Sequence, residues 1–517
     1  MGDSMSHIYD WINVGSLSSE RDENLSSYFY DNGTLDTVIK NKKHFLLLGR
    51  KGAGKTALFK YFTENPSQFI DQHDTIIPIS MDDYSWNVHS MLSRASSAES
   101  LVYKDSWRFI FFLLVINYLG TKKDASKEIK TAKQVLEKIF SGPIPSMMDF
   151  VKNKICKLSK LKLPKGGLDI SDGSLNSIEL GAGEVEFHEV EQNEDLKSAL
   201  VYNIEGLIKF LEQALMSATK TRKEERIFIC FDRIDEAWDS VSKNISEKII
   251  TGLIVAADSI TAKYDGFIRP IIFIREDIFE VLPVNDKNKL REDCGSLLKW
   301  DKNSLINMLL RRINYFANCN NQPIIQDLDS LFDKEEMRQR LTPTNYILKR
   351  TMFRPRDFVC FFSKIITSMK EANIDPFGEA QEQISDINHL TIESIYSAEP
   401  QYSEWLQREL IDEWSVQKPY FKNYLSAFQN NGMNIFSKED IVKFFVQENI
   451  LNKDYSNADV LEHLKFLFNN SVIGFKLGDQ NYWRYKCVYN TQGFIDSSVY
   501  RIHDGLFKTL NLKENRT

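Results

Sequence analysis

The eight residues Gly49-Arg50-Lys51-Gly52-Ala53-Gly54-Lys55-Thr56 fit the spacing G-x-x-x-x-G-K-[ST], whose chemistry is the grip of a polyphosphate. Glycines at 49, 52 and 54 let the backbone curl without Cβ clashes, so that successive N–H groups converge on an anion. Lys55 offers a cation to the β- and γ-phosphates, and Thr56 a hydroxyl to Mg²⁺. ATP and Mg²⁺ are therefore the expected cofactors, with Gly49 through Ala57 lining the nucleotide. A chance match in a glycine-rich turn is the competing reading, and the flanks argue against it. His44-Phe45-Leu46-Leu47-Leu48 is an apolar run of buried-strand type, and Ala57-Leu58-Phe59-Lys60-Tyr61-Phe62 continues with helical spacing. Strand, glycine loop and helix start follow one another as an anion site at a helix N-terminus requires.

Gripping phosphate is not yet hydrolysis, which also needs an acid to hold the metal and a group to activate water. Arg226 to Trp238 offers both. Its apolar run Ile227-Phe228-Ile229-Cys230-Phe231 reads as a strand buried on both faces of a parallel sheet, ending in Asp232. A carboxylate at that end faces the crevice where α/β sheets bind ligands, so Asp232 joins Thr56 as an expected Mg²⁺ ligand. Asp235 and Glu236 are placed to orient and deprotonate water, with Glu236 the first choice of base, Asp235 the second, and Lys55 completing the catalytic set. The bland alternative is a strand that ends in a solvated acidic turn. A further strand, Pro270-Ile271-Ile272-Phe273-Ile274, closes with Arg275-Glu276-Asp277. Arg275 is a candidate contact for the γ-phosphate; an ion pair with Asp277 explains it equally well.

These residues must be carried by elements that composition and patterning constrain. The chain has 517 residues, enough for two to four domains, and its 42% hydrophobic and 26% charged content is that of a soluble globular protein. Its formal net charge of −7 gives no global field to recruit nucleic acid. Six scattered cysteines without a C-x-x-C suggest neither a disulfide framework nor a zinc site; Cys230 reads as a buried small hydrophobe. The N-terminus lacks a signal-peptide pattern, and Trp107 to Leu119 is too short for a bilayer, so the expectation is a cytoplasmic protein with a buried helix there and no membrane partner.

With Asp232-Arg233-Ile234-Asp235-Glu236-Ala237-Trp238 in view, the chain resembles the STAND and KAP-like branch of P-loop ATPases, relatives of AAA+ proteins with a D-R-[IL]-D-E-x-W acidic motif. Glu20-Arg21-Asp22 with Tyr28-Phe29, Phe273 to Asp277, Lys299-Trp300-Asp301, Arg354-Pro355-Arg356-Asp357 and Arg501 to Leu506 belong to the same likeness, which spans residues 15–120 and 197–515. The resemblance implies a nucleotide-controlled switch of the kind found in bacterial antiphage defence, acting through a homo-oligomer or a partner effector protein. It also implies that Arg356 senses the nucleotide, with Arg354 the weaker candidate. As plain residues, either arginine could be salt-bridged at a helix start after Pro355.

The fold expected is α/β: a P-loop NTPase domain with a parallel sheet over 1–300, a helical lid over 301–400, and a winged-helix-like domain over 401–517. No repeat points to an appended solenoid. An insertion occupies about 121–196, where six lysines without an acid (Lys152 to Lys165) precede nine acids without a lysine or arginine (Asp169 to Asp195). It reads as a helical basic arm bearing a small acidic β-hairpin, either a docking element or a solvated protrusion whose charges fold together. Near the C-terminus, Ser437-Lys438-Glu439-Asp440 opens one helix as a capping box and Ala458 to Phe468 forms a second. Ser471 to Phe475 and Tyr482 to Val488 read as the wing. From Asn431 onward eleven Lys/Arg face ten Asp/Glu, and the second helix sets Asp459 and Glu462 against Lys465. That balance favours a packing latch over DNA binding.

Two functions follow. The leading expectation is an ATP-binding and hydrolysing molecular switch that couples nucleotide state to oligomer or partner assembly. The alternative is an ATP-regulated DNA-binding or regulatory protein acting through its winged helix. A metabolic kinase lacks a recognisable substrate pocket here, and an ABC ATPase lacks its LSGGQ-like signature.

Overall fold

A computed structural model describes residues 7–81, 89, 103–140, 143–144, 160–161, 185–186, 194–237, 243–372, 388–478 and 482–513. The chain divides into two compact units: a sheet unit, Gly33–Arg50 with Leu58–Leu298, and a helical unit, Met1–Asn32 with Lys51–Ala57 and Lys299–Thr517.

The sheet unit is built on β1 (Leu46–Gly49), β2 (Thr75–Ser80), β5 (Ile227–Asp232), β6 (Ile268–Arg275) and β7 (Gly295–Leu297). All pair in parallel, in the order β2-β5-β6-β1-β7. The reason lies in the sequence: β1 and β5 are continuous apolar runs, and every residue of both is buried, as strands covered on both faces must be. Pro270 is tolerated in the interior strand β6 because β1 begins pairing only at Ile272, so no β1 residue asks for its missing N–H. One position later than the strand start, Arg269 turns sideways and donates to the carbonyls of Val38 (2.7 Å), Ile39 (3.0 Å) and Asn41 (3.0 Å), closing the C-terminus of the helix Thr34–Lys40.

Helices Lys104–Leu119, Glu194–Thr221 and Lys243–Tyr264 belong to this unit. The first contains the apolar stretch expected to be buried, and it is: Trp107 is fully covered, with its indole N–H donating to the Ile249 carbonyl at 2.9 Å. Among the described residues no helix is long and apolar enough to cross a membrane. In the insertion, β3 (Lys160–Leu161) pairs antiparallel with β4 (Val185–Glu186). This ladder joins the lysine-rich segment to the acidic one; the hairpin expected within the acidic stretch falls on residues outside those described.

The helical unit contains Lys302–Cys319, Pro343–Arg350, Pro355–Ala372, Ile392–Trp414 and Phe421–Asn431. Beyond them β8 (Ile435–Ser437), helices Lys438–Gln447 and Asn457–Asn469, β9 (Ile473–Phe475) and β10 (Val499–Ile502) follow, with the antiparallel order β8-β10-β9. Ser437 and Asp440 form the predicted reciprocal cap. The last strand is a correction. Residues 482–488 do not form a strand; only Arg484 bridges to Phe475, and Val499–Ile502 takes the central place between β8 and β9. Alternation alone could not distinguish these two segments, because both are short and mix apolar with basic residues.

Buried charge organises this unit. Arg350 pairs with Glu399 at 2.7 Å while Tyr346 donates to the same carboxylate at 2.7 Å. The segment Arg501 to Leu506 locks against these helices: Asp504 meets Arg501 (3.0 Å) and Lys349 (3.3 Å), and Ser403 donates to the Gly505 carbonyl at 2.7 Å. A Cβ at Gly505 would lie 2.2 Å from the Arg350 carbonyl oxygen, so the approach requires glycine. The Glu20-Arg21-Asp22 segment has a similar structural part, since Asp22 accepts from Tyr28 and faces Arg312 at 3.5 Å.

Candidate nucleotide-binding site

In the sheet unit, the parallel ladder brings three candidate residues to one edge. Gly49 at the end of β1 is in register with Arg275 at the end of β6. Phe231 of β5 is in register with Ile272, so Asp232 ends the neighbouring strand at the same carboxyl edge. Asp232 is buried, at 1% exposure, although it is a carboxylate. Arg233 after it holds φ at 61°, a left-handed conformation unusual for arginine and of the strained kind that clusters at functional sites. Asp235 follows in the short turn Ile234–Ala237. Glu236 occupies the same turn, and its side chain lies outside the described residues.

Arg275 forms the ion pair anticipated as its simpler explanation, with Nε to Asp277 at 3.1 Å and Nη2 at 2.8 Å. Its Nη1 also stands 3.8 Å from Asp235. The strand end thus gathers one guanidinium and two carboxylates beside a buried third, Asp232.

In the helical unit, the loop residues Lys51–Ala57 are held through their carbonyls. The Lys51 oxygen accepts from Arg354 Nη1 at 3.2 Å, the Gly52 oxygen from the Arg356 backbone N–H at 3.4 Å, and the Ala53 oxygen from the Trp300 indole N–H at 2.8 Å. Gly52 and Gly54 adopt φ of 78° and 96°, which side chains disfavour, and a Cβ on Gly52 would meet the Arg356 Cβ at 3.3 Å. The helix Lys55–Glu64 begins directly after this curl, so Lys55 and Thr56 stand in its first turn. Glycines in this conformation at a helix start fit a polyphosphate, and the buried strand-end Asp232 fits a divalent cation.

Local sequence explains how the anchors reach the loop. Asp301 caps the helix Lys302–Cys319, accepting from the Ser304 N–H at 2.7 Å, and so fixes where Trp300 leaves it. Phe353 takes φ of 53°, which turns the chain before Pro355 opens the next helix. Arg354 is then gripped by Asp357 (3.0 Å to each oxygen) and Glu413 (2.9 Å), all buried. Burial works against its charge, yet the Asp357 and Glu413 carboxylates outweigh it and hold the pKa above the usual arginine value. Asp357 is pushed upward by burial, with Arg354 opposing. Arg356 pairs with Glu409 at 3.3 Å, and Lys51 lies 3.8 Å from the same carboxylate.

Sequence reasoning ranked Arg354 below Arg356 and gave no role to Trp300, Glu409 or Glu413. The spacing of Glu409 and Glu413, one helical turn apart, is the signal that two carboxylates share a face. It does not reveal what they face.

Residues 303–411 match a family described as the FunZ-associated C-terminal helical domain, a stretch whose described residues include the helices Lys302–Cys319, Pro343–Arg350, Pro355–Ala372 and Ile392–Trp414. The putative transposon gamma-delta 80.3 kDa protein of Escherichia coli (strain K12) is 24% identical over 384 residues, covering 72% of this chain and 48% of that protein. The chain thus spans about half the length of the curated relative it matches. Among solved structures, Cdc6p from Pyrobaculum aerophilum aligns over 95% of this chain and 96% of its own, at 11% identity and a TM-score of 0.31. The Orc1 protein of Aeropyrum pernix, in complex with DNA, aligns over 96% and 93% at 10% identity and a TM-score of 0.32.

Proposed function

We propose that this chain is an ATP-binding and hydrolysing switch whose nucleotide state controls assembly with further copies or with a partner effector protein. What supports it most is the carboxyl edge of the parallel sheet, where Gly49, Asp232 and Arg275 end neighbouring strands and Gly49 opens the sequence Arg50 to Thr56. Residues 1–300 are the ATPase domain in this reading, 301–400 a lid, and 401–517 a winged-helix-like module. Lys55 and the loop N–H groups bind the phosphates, Thr56 and Asp232 would hold Mg²⁺, and Glu236, or failing it Asp235, takes the proton from water. Bound Mg²⁺ would neutralise charge developing on the phosphate oxygens. Arg275 and Arg356 respond to the γ-phosphate by exchanging Asp277 and Glu409 for it.

The STAND and KAP-like assignment and the antiphage setting rest on the sequence resemblance, and the cytoplasmic location on the N-terminal pattern and the shortness of the Trp107 to Leu119 stretch. The test is mass measurement with and without ATP–Mg²⁺, with Glu236→Gln as the trapped control. An ATP-dependent assembly that Glu236→Gln prolongs is expected; a single mass under every condition removes the assembly model.

The DNA-binding reading draws on one surface. Tyr482 and Tyr489 are exposed at 44% and 38%, with the Arg484 guanidinium 5.3 and 5.8 Å from their rings. The Lys349–Asp504 contact and the close approach of Gly505 to the Arg350 carbonyl favour the packing role for residues 401–517 instead.

A further inference from the structure

The carbonyl bonds to the loop have a directional consequence. A trans peptide is planar, and its C=O points opposite to the N–H of the next residue. Among the described residues no peptide bond is cis. Holding the oxygens of Lys51, Gly52 and Ala53 therefore fixes the N–H directions of Gly52, Ala53 and Gly54. All three N–H groups are turned away from the groups that hold the carbonyls. The glycine φ values of 78° and 96° flank Ala53, which is not among the positive-φ residues, so the sign alternates as in a backbone anion nest. Glycines have the most conformational freedom to lose, and a loop this rich in them presents converged donors only when something external fixes its peptide planes.

We propose that Trp300 and Arg354 are positioning residues for the phosphate loop: they bind no nucleotide themselves but fix the peptide planes whose N–H groups do. This rests on the nucleotide-binding reading above. It also reassigns Arg354, whose Nε is committed to Asp357 and Nη1 to Glu413 and the Lys51 carbonyl, and which is only 5% exposed. Trp300 is the cleaner probe. Its helix start is set by Asp301, and its ring lies 6.2 Å from that of Tyr30, so Trp300→Phe removes the N–H donor and keeps an aromatic ring in place.

The experiment measures binding of ATP–Mg²⁺ and of inorganic pyrophosphate to the full chain, for wild type, Trp300→Phe, Arg354→Lys and Lys55→Ala, with amide hydrogen exchange on each. Trp300→Phe is expected to weaken both phosphates about 5-fold, the worth of one hydrogen bond, and to speed exchange only across residues 49–57. Arg354→Lys, which keeps the charge against Asp357 and Glu413, is expected to act in the same direction. A Trp300→Phe protein with wild-type affinity for both phosphates and unaltered loop exchange overturns the assignment. A general rise in exchange throughout the helical unit also overturns it, by showing that Trp300 serves stability alone. Should Lys55→Ala too bind like wild type, it is the nucleotide reading that has failed.

Discussion

Each of the two units is stabilised internally by its own means. The sheet unit relies on apolar strands whose polar groups are spent on their own ladder, with ionisable residues confined mainly to strand ends such as Asp232 and Arg275. The helical unit buries charge in its interior, in the Arg350–Glu399 pair, the Arg354–Asp357–Glu413 cluster and the Asp504 contacts. Apolar burial is non-directional and tolerates small shifts, whereas a buried ion pair is costly unless its geometry is met. The lesson is a division of labour: the sheet unit sets where its own strand ends lie, and the helical unit holds the peptide planes of its own residues Lys51 to Ala53.

Breaking a buried cluster should therefore harm the helical unit most. Arg354→Ala leaves Asp357 and Glu413 buried without their cation and is expected to cost ~3–5 kcal/mol in chemical denaturation. Arg269 is an exception in the sheet unit, a 2% exposed arginine that closes a helix end. Arg269→Met takes the guanidinium away from the Val38 and Ile39 carbonyls, while that of Asn41 keeps the His44 N–H at 3.0 Å, and a loss of about 2–3 kcal/mol is expected in the same assay, smaller than for Arg354→Ala. If Arg269→Met costs more, the contrast between the units is drawn in the wrong place.

Acid offers a finer test. His503 is buried, accepts the Gly505 N–H on Nδ1 at 3.2 Å, and has its pKa lowered from 6.5 to about 4 by burial, with Arg501 adding to the shift and Asp504 opposing it. A depressed histidine pKa means the unfolded chain takes the proton first, so stability is complete above pH 6.5 and falls as pH drops toward 4. At pH 5 this amounts to about 2 kcal/mol, and His503→Gln should flatten that part of the stability profile. An unchanged acid limb would assign the loss elsewhere, His89 of the sheet unit being the first candidate, with its pKa lowered to about 3 by burial. Smallest of all, Ser437→Ala removes one helix cap and should cost about 1 kcal/mol.

Much of this was legible in the chain because it is local. The apolar runs ending at Leu48, Phe231 and Ile274 became β1, β5 and β6, and the glycine spacing announced a curled loop before a helix. Caps at Asp301 and Ser437 depend on residues three positions away. What escaped was set by partners distant in sequence. Arg354 reads as one of two arginines near a proline until Lys51 and Glu413 stand beside it, and nothing in Lys299-Trp300-Asp301 says that the indole meets Ala53. The choice of β10 over residues 482–488 was likewise decided by tertiary pairing, since local pattern supports both.

The central claim is that Gly49 to Thr56 grips the phosphates of ATP, and calorimetric titration of ATP–Mg²⁺ into wild type and Lys55→Ala tests it most directly. Charge-assisted contacts of this type contribute roughly 1.5–3 kcal/mol, so the account predicts saturable binding by wild type and a loss of more than about tenfold in Lys55→Ala. Equal affinity in the two proteins, or no binding by wild type, would contradict it.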